Sequence, residues 1–219
     1  MSNLKGVGVA LVTPFNEDLS VDFDSLTRLV EYNIENGTNY LVVLGTTAEA
    51  ATLSAAEKQE VIKHVIKINN KRLPLVLGIG GNNTLEVKKQ IEEADLTDFD
   101  AVLSVSPYYN KPNQEGLYQH YKMLASTGKQ IIIYNVPGRT GQNIEASTTL
   151  RLANEFPNLF MIKEAAPNIL QYFDILRKKP SNFSLVSGDD EYTLPVTLAG
   201  GDGVISVIGQ GYPKEFSTM

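Results

Sequence analysis

LFMIKEA, residues 159–165, is the stretch whose reading decides the fold. Leu159 to Ile162 form an unbroken apolar run, as expected of a strand covered on both faces, because a parallel strand under helices has no solvent side. Lys163 follows at once, and an ammonium group is costly to desolvate without a partner. Two readings of this lysine are open. In one, its stem packs and its head pairs with Glu164. In the other, it stands in a partly dry mouth, where desolvation favours the neutral amine that attacks carbonyl carbons to form a Schiff base.

Similar runs recur on either side: VGVALV (7–12), YLVVL (40–44), LPLVLGI (73–79), AVLSV (101–105), QIIIYNV (130–136), FSLVS (183–187) and GVISVI (203–208). With LFMI they make eight, none with the period-two alternation of a half-exposed strand. Between them lie segments of helical period. In DFDSLTRLVEYNIENG, Leu26, Leu29, Val30, Asn33 and Ile34 share one face, and Gly37 supplies the stop. Ser54 and Glu57 form a capping box before VIKHVIKI, and Thr84, Asn113, Glu145 and Asn168 are openings for later helices. Val87, Ile91 and Ala94, and then Leu117, Tyr121 and Leu124, form stripes that pack against strands.

Strand and helix therefore alternate, without linker or low-complexity tract, across 219 residues. The expectation is α/β: a single domain over residues 1–219, a (β/α)8 TIM barrel rather than an open doubly wound sheet. No opening turn carries G-x-G-x-x-G, and Gly78 to Asn82 have the wrong spacing for a dinucleotide fingerprint.

Composition narrows the function. The net charge of -6, with signs interspersed, leaves no basic stripe for nucleic acid. Zero cysteines remove thiolate chemistry and disulfides and fit a reducing, cytoplasmic setting. The two histidines, His64 and His120, lie on helical segments without carboxylates at ligand spacing, so no metal site is expected and both are assigned to the surface or to helix packing. The N-terminal stretch MSNLKGVGVALVTPF lacks a small-residue cleavage site and reads as a first strand, and no window reaches the roughly 18 apolar residues of a membrane span.

In a barrel of this kind catalytic groups follow the strands. Those positions hold Thr46, Thr47, Tyr108, Tyr109, Tyr134, Arg139, Lys163, Gly188 and Asp189. With no histidine at a strand end, phenols and hydroxyls are the available proton carriers beside the lysine. The Thr46–Thr47 pair is either a simple strand-to-helix turn or a set of hydroxyls and amides for a small carboxylate. Arg139 is either a loop charge or a carboxylate clamp.

GTTAEA (45–50), SPYYNKP (106–112), YNVPGRTG (134–141), IKEA (162–165) and SGDD (187–190) resemble, in order and spacing over essentially the whole chain, the dihydrodipicolinate synthase family. These are pyruvate-dependent class I aldolases akin to N-acetylneuraminate lyase. The resemblance implies that Lys163 forms the imine with pyruvate and that Tyr134, Thr46 and Tyr109 relay protons, Tyr109 from a neighbouring subunit. It implies pyruvate-carboxylate contacts at Thr47, a backbone carbonyl from Ile205 beside the lysine, and an aldehyde-binding region at Gly188 and Asp189. Arg139 implies the branch that condenses pyruvate with aspartate 4-semialdehyde in lysine biosynthesis through diaminopimelate. Lyases acting on sugar acids carry other residues there, and a catalytically silent barrel would not need the Lys163, Tyr134 and Thr46 set. The resemblance further implies a cytoplasmic homotetramer built from dimers, with no cofactor. Two departures stand out: Ala48 and Ala50 replace commoner glycine and serine. Relatives also continue beyond the eighth strand through a last helix and a C-terminal helical region. On that comparison the chain reads as truncated, with the first strand and seventh helix left to expose apolar surface.

Overall fold

Eight parallel strands pair in sequence order and close on themselves in the computed structural model, which describes residues 4–219. They are β1 (Gly6–Ala10), β2 (Tyr40–Val43), β3 (Leu75–Gly78), β4 (Ala101–Val105), β5 (Ile131–Asn135), β6 (Leu159–Glu164), β7 (Ser184–Ser187) and β8 (Gly203–Ser206). The ring closes where β1 meets β8, with Gly6 opposite Gly203. A side chain at Gly203 would fall 2.0 Å from the Gly6 carbonyl, and its φ of +141° is one that residues with a Cβ rarely adopt, so glycine is required there.

The helices are α1 (Phe23–Glu35), α2 (Ala55–Asn69), α3 (Thr84–Glu93), α4 (Gln114–Ala125), α5 (Pro137–Thr140), α6 (Ala146–Glu155), α7 (Ile169–Lys178), α8 (Thr193–Leu198) and α9 (Pro213–Ser217). Their starts follow the capping chemistry of the sequence. Ser54 and Glu57 exchange the reciprocal bonds of a capping box at α2, and Asn113 and Asn168 cap α4 and α7 through their side chains. At α3 the capping side chain is Asn83, not Thr84, which is instead the first helical residue.

Alternation along each strand divides the core into layers. Outward residues of β1 to β3 (Val7, Val9, Leu41, Val43, Leu75, Leu77) pack against Leu26 and Val30 of α1 and Val61 and Val65 of α2. Ile131, Ile133, Ile162 and Leu185 pack against Leu117, Tyr121 and Leu124 of α4, Leu152 of α6, and Tyr172 and Ile175 of α7. Inward residues fill the barrel: Tyr40, Val42, Val76, Leu103, Ile132, Met161, Val186 and Ile205, with Tyr134 among them.

Two expectations need correction. Charge at Lys163 and Glu164 does not end β6, which runs on through both, each being buried. Nor is β1 left bare, because Val7 and Val9 are buried and Phe216 of α9 packs against their cluster. The helix half of the expectation holds, since apolar side chains are exposed on the helices flanking β7, Leu170 and Phe173 on α7 and Leu194 and Leu198 on α8. No helix among the described residues is long and apolar enough to cross a membrane.

Candidate active site

Strand register brings the first pair of candidate residues together. On β5 and β6, Tyr134 pairs with Lys163, and both side chains are directed into the barrel. Lys163 is 2% exposed, and its Nζ lies 4.3 Å from the centre of the Tyr134 ring. None of the ion pairs among the described residues includes Lys163, so the pairing with Glu164 does not form. The Tyr134 and Thr46 hydroxyl oxygens are 3.4 Å apart, a loose contact that links β5 to the turn after β2.

That turn is a single 3-10 helical turn, Thr46–Ala48, opened by Gly45 and closed by Glu49 in a left-handed conformation. Thr13 ties it to the turn after β1, its hydroxyl donating to the Ala48 carbonyl at 2.7 Å. Thr46 is exposed at the rim and Thr47 is half-buried. Alanine at position 48 is buried and fits this packing.

Opposite the lysine, Gly188 follows β7, its N–H donating to the Glu164 carbonyl at 2.6 Å. A Cβ at this position would stand 2.8 Å from Lys163 Cε and 2.9 Å from Lys163 Cγ, so the missing side chain makes room for the lysine stem. Val186 is the register partner of Lys163 on β7, and Val186 and Ile205 belong to the same interior apolar cluster as Tyr134.

Three of the residues inferred from sequence do not join this group within the chain. Tyr109 is 88% exposed and sits in a left-handed backbone conformation, with a φ of +71°. Arg139, on α5, is exposed and belongs to no ion pair among the described residues. The Asp189 carboxylate accepts from the Glu191 N–H at 3.2 Å and caps a turn of its own loop.

Sequence reasoning missed two carboxylates. Asp190 accepts from the Ser206 hydroxyl (2.5 Å) and from the Val207 and Ile208 N–H groups (3.2 and 3.0 Å), fastening the β7 loop to the end of β8. Glu164, fully buried on the outer face of β6, accepts from Asn135, Gln171 and the Ala166 N–H. Burial pushes its pKa up to about 7, against the pull of those donors. Strand alternation was the available signal: a β6 that presents Lys163 inward must present Glu164 outward.

Among the described residues, no three His, Asp or Glu side chains converge as a metal site. His120 is a packing residue, its Nδ1 2.8 Å from the Thr84 hydroxyl and its pKa pushed down by burial to about 4. An open groove lined by Lys67, Arg72, Pro74 and Asp98 lies at the opposite, N-terminal rim of the barrel and contains none of the candidate site residues.

The sequence model of the Dihydrodipicolinate synthetase family matches residues 3–219. A 4-hydroxy-tetrahydrodipicolinate synthase of Flavobacterium psychrophilum is 60% identical over 215 residues, covering 98% of this chain and 73% of that protein. Among solved structures, the chloride-inhibited dihydrodipicolinate synthase of Acinetobacter baumannii in complex with pyruvate is 45% identical, with a TM-score of 0.94 over 98% of this chain and 74% of the other. A monomeric dihydrodipicolinate synthase variant is 42% identical, with a TM-score of 0.93 over 98% of this chain and 72% of the other. A family match that runs over nearly the whole chain, with a 60% identical relative and solved structures that share its fold, leads to one conclusion: the chain belongs to the dihydrodipicolinate synthetase family.

Proposed function

We propose that the protein is a lyase that condenses pyruvate with aspartate 4-semialdehyde to 4-hydroxy-tetrahydrodipicolinate, as the names of its relatives indicate for them. The observation that carries the reading is Lys163 on the inward face of β6, buried, without an acid partner among the described residues and set against Tyr134. A buried amine level with Val186 and set against an aromatic ring is poised for carbonyl addition.

The chemistry follows from these groups. The Lys163 amine adds to the pyruvate C2 carbonyl, and the carbinolamine loses water to give the imine. Loss of a C3 proton gives the enamine, whose C3 forms the new carbon–carbon bond at the aldehyde carbon of the second substrate. The amino group of that substrate then displaces Lys163 from C2, closing the ring and restoring the free lysine. One water is released overall. Tyr134 and Thr46, with hydroxyl oxygens 3.4 Å apart, provide the proton path between the lysine and the rim. Thr47 and its turn hold the pyruvate carboxylate, Ile205 contributes its carbonyl beside the lysine, and Gly188 and Asp189 border the aldehyde. Arg139 binds the carboxylate of aspartate 4-semialdehyde, a bidentate role for which its exposed guanidinium is free. No cofactor is required by this route.

Tyr109 completes the relay from a neighbouring subunit. Its 88% exposure supports a homo-oligomer, with dimers assembled into a tetramer as the form assigned. Residues 1–219 act as one barrel domain, supported by the closure of all eight strands within the described part of that segment, and the enzyme works in the cytoplasm. The test is reductive trapping. Pyruvate with borohydride should place a pyruvyl-derived group on Lys163 alone, as read by peptide mass mapping, and labelling that survives in Lys163→Ala overturns the assignment.

A further inference from the structure

Glu164 lies back-to-back with Lys163. Consecutive residues of a strand face opposite ways, so the lysine enters the barrel while the carboxylate enters the layer between β6 and α7. There its oxygens accept from Asn135 Nδ2 at 2.8 and 3.1 Å, from Gln171 Nε2 at 2.8 Å and from the Ala166 N–H at 2.8 Å. Asn135 is its register partner on β5 and directly follows Tyr134.

The network extends to a third element. Asn135 Oδ1 accepts from the Ile144 N–H at 2.9 Å, and Asn135 Nδ2 also reaches Asn143 Oδ1 at 2.8 Å. Gln171 donates to the Ile144 carbonyl at 3.1 Å and accepts from Asn143 Nδ2 at 2.8 Å. Residues 142–144 form the return of the loop that presents Arg139 on α5. The backbone carbonyl of Glu164 meanwhile accepts from Gly188 and from the Tyr172 hydroxyl at 2.7 Å.

We propose that Glu164 is a positioning residue for imine formation: its carboxylate accepts from Asn135 and Gln171, and through these two amides it joins the segments carrying Lys163 and Tyr134 to the loop that presents Arg139. This rests on the reading of Lys163 as the imine lysine. Every contact the carboxylate makes is with a donor, so the ionised form fits its surroundings, whereas a protonated carboxyl or an amide must turn a hydrogen towards other hydrogens. With its pKa pushed up to about 7 by burial, the carboxylate loses acceptor capacity as the pH falls through neutrality. The titratable groups around it are Tyr172 of α7, which burial and the charges of Glu164 and Asp189 keep protonated, and Lys163 itself on the reverse of the strand. Asn135, Asn143 and Gln171 carry no charge.

The test is the pH dependence of pyruvate imine formation, measured on the full-length enzyme as the first-order rate of borohydride trapping at saturating pyruvate between pH 6 and 9, on the order of three units centred above neutrality. Glu164→Gln should slow trapping about 10-fold to 100-fold, as displacements near 1 Å do, and should remove the part of the wild-type profile that rises through about 7. The exchange Glu164→Gln with Gln171→Glu, which returns a carboxylate to the same cage, should recover part of the rate. Should Glu164→Gln fail to fold, Gln171→Leu removes one donor far from the substrate and should move the midpoint of the profile upwards. A wild-type rate and profile in Glu164→Gln, or an unmoved midpoint in Gln171→Leu, overturns the proposal. Labelling of Lys163 in the wild type separates that failure from a failure of the lyase reading, in which Lys163 would not be labelled at all.

Discussion

Replacing Gly188 by alanine adds one methyl group at the point where the lysine stem has least room. The new Cβ would stand 2.8 Å from Lys163 Cε, 2.9 Å from Lys163 Cγ and 2.9 Å from Ala165 Cβ. Carbon atoms in contact prefer about 3.5–4 Å, so each neighbour must retreat by roughly 1 Å. Ala165 Cβ is fixed to the backbone, and the chain on either side is tied by the Gly188 and Ala165 N–H bonds to Glu164 and Asn135. The lysine is therefore the group that yields. It has the Tyr134 ring on its far side, so its Nζ cannot simply slide inwards.

Two effects of different size follow. Overpacking of this kind costs about 1–3 kcal/mol of stability, and a flexible lysine stem places it towards the lower end. A shift of roughly 1 Å in a reacting atom costs about 100-fold in rate, close to 3 kcal/mol in the barrier. Gly188→Ala should thus remain folded while pyruvate trapping slows by about two orders of magnitude. Urea unfolding gives the first quantity and single-turnover borohydride trapping the second. A variant that traps pyruvate at the wild-type rate, with wild-type stability, would refute the steric argument and with it the assigned path of the lysine.

Gly8→Ala should be far more damaging to folding, because its Cβ would fall 2.1 Å from the Tyr40 ring, which is 0% exposed at the barrel centre; a loss of under about 1 kcal/mol in urea unfolding would contradict the packing. Mixing inactive Tyr109→Phe with inactive Lys163→Ala under subunit exchange should restore part of the activity, since in a mixed pair the one site that keeps Lys163 receives an intact Tyr109 from its neighbour; a mixture as inactive as its parts removes Tyr109 from the shared site. Glu164 should leave a signature in stability against pH. Its carboxyl, ordinarily near 4.5, binds its proton more tightly in the folded chain, at about 7. The folded state is therefore favoured below the lower value and loses about 3 kcal/mol as the pH rises through that window, with no further change above it. Acids held below their usual range by hydrogen bonds, such as Asp22 and Glu31, act in the opposite sense, so the measurement is the difference between the wild type and Glu164→Gln.

Most of the barrel was legible because a doubly covered strand has no polar face, which makes its apolar run continuous and its ends abrupt. Helix starts were legible where one side chain both ends the loop and accepts from the first turn, as Ser54 and Asn113 do. At α3 two adjacent residues could cap, and the choice of Asn83 over Thr84 depends on which carbonyl or hydroxyl oxygen meets the Glu86 N–H, a matter of backbone angle rather than residue type. Tyr109 illustrates a different limit. Its position at a strand end was readable, but the left-handed turn it sits in was not, because neither neighbour in Tyr108–Asn110 is a glycine that would announce one.

The Lys163–Glu164 dipeptide shows why local sequence misleads most where strands carry charge. Side by side in the chain, opposite charges invite pairing, and in a loop or a helix end they would find each other. In a strand they cannot, since successive side chains leave by opposite faces. Once β6 is allowed to run through Glu164, the two charges must each be accommodated separately. The lysine faces the barrel interior with no ion-pair partner among the described residues, and the glutamate meets a cage of amide donors that leaves it buried and satisfied. The strand thus extends past its apolar run for a reason that composition alone does not contain: Asn135 and Gln171, 29 and 7 residues away from Glu164 in sequence, supply the donors that make a carboxylate tolerable there. Extension of β6 by those two residues is also what brings Lys163 level with Tyr134, so the cage behind the sheet and the lysine–tyrosine pair in front of it are two faces of one register.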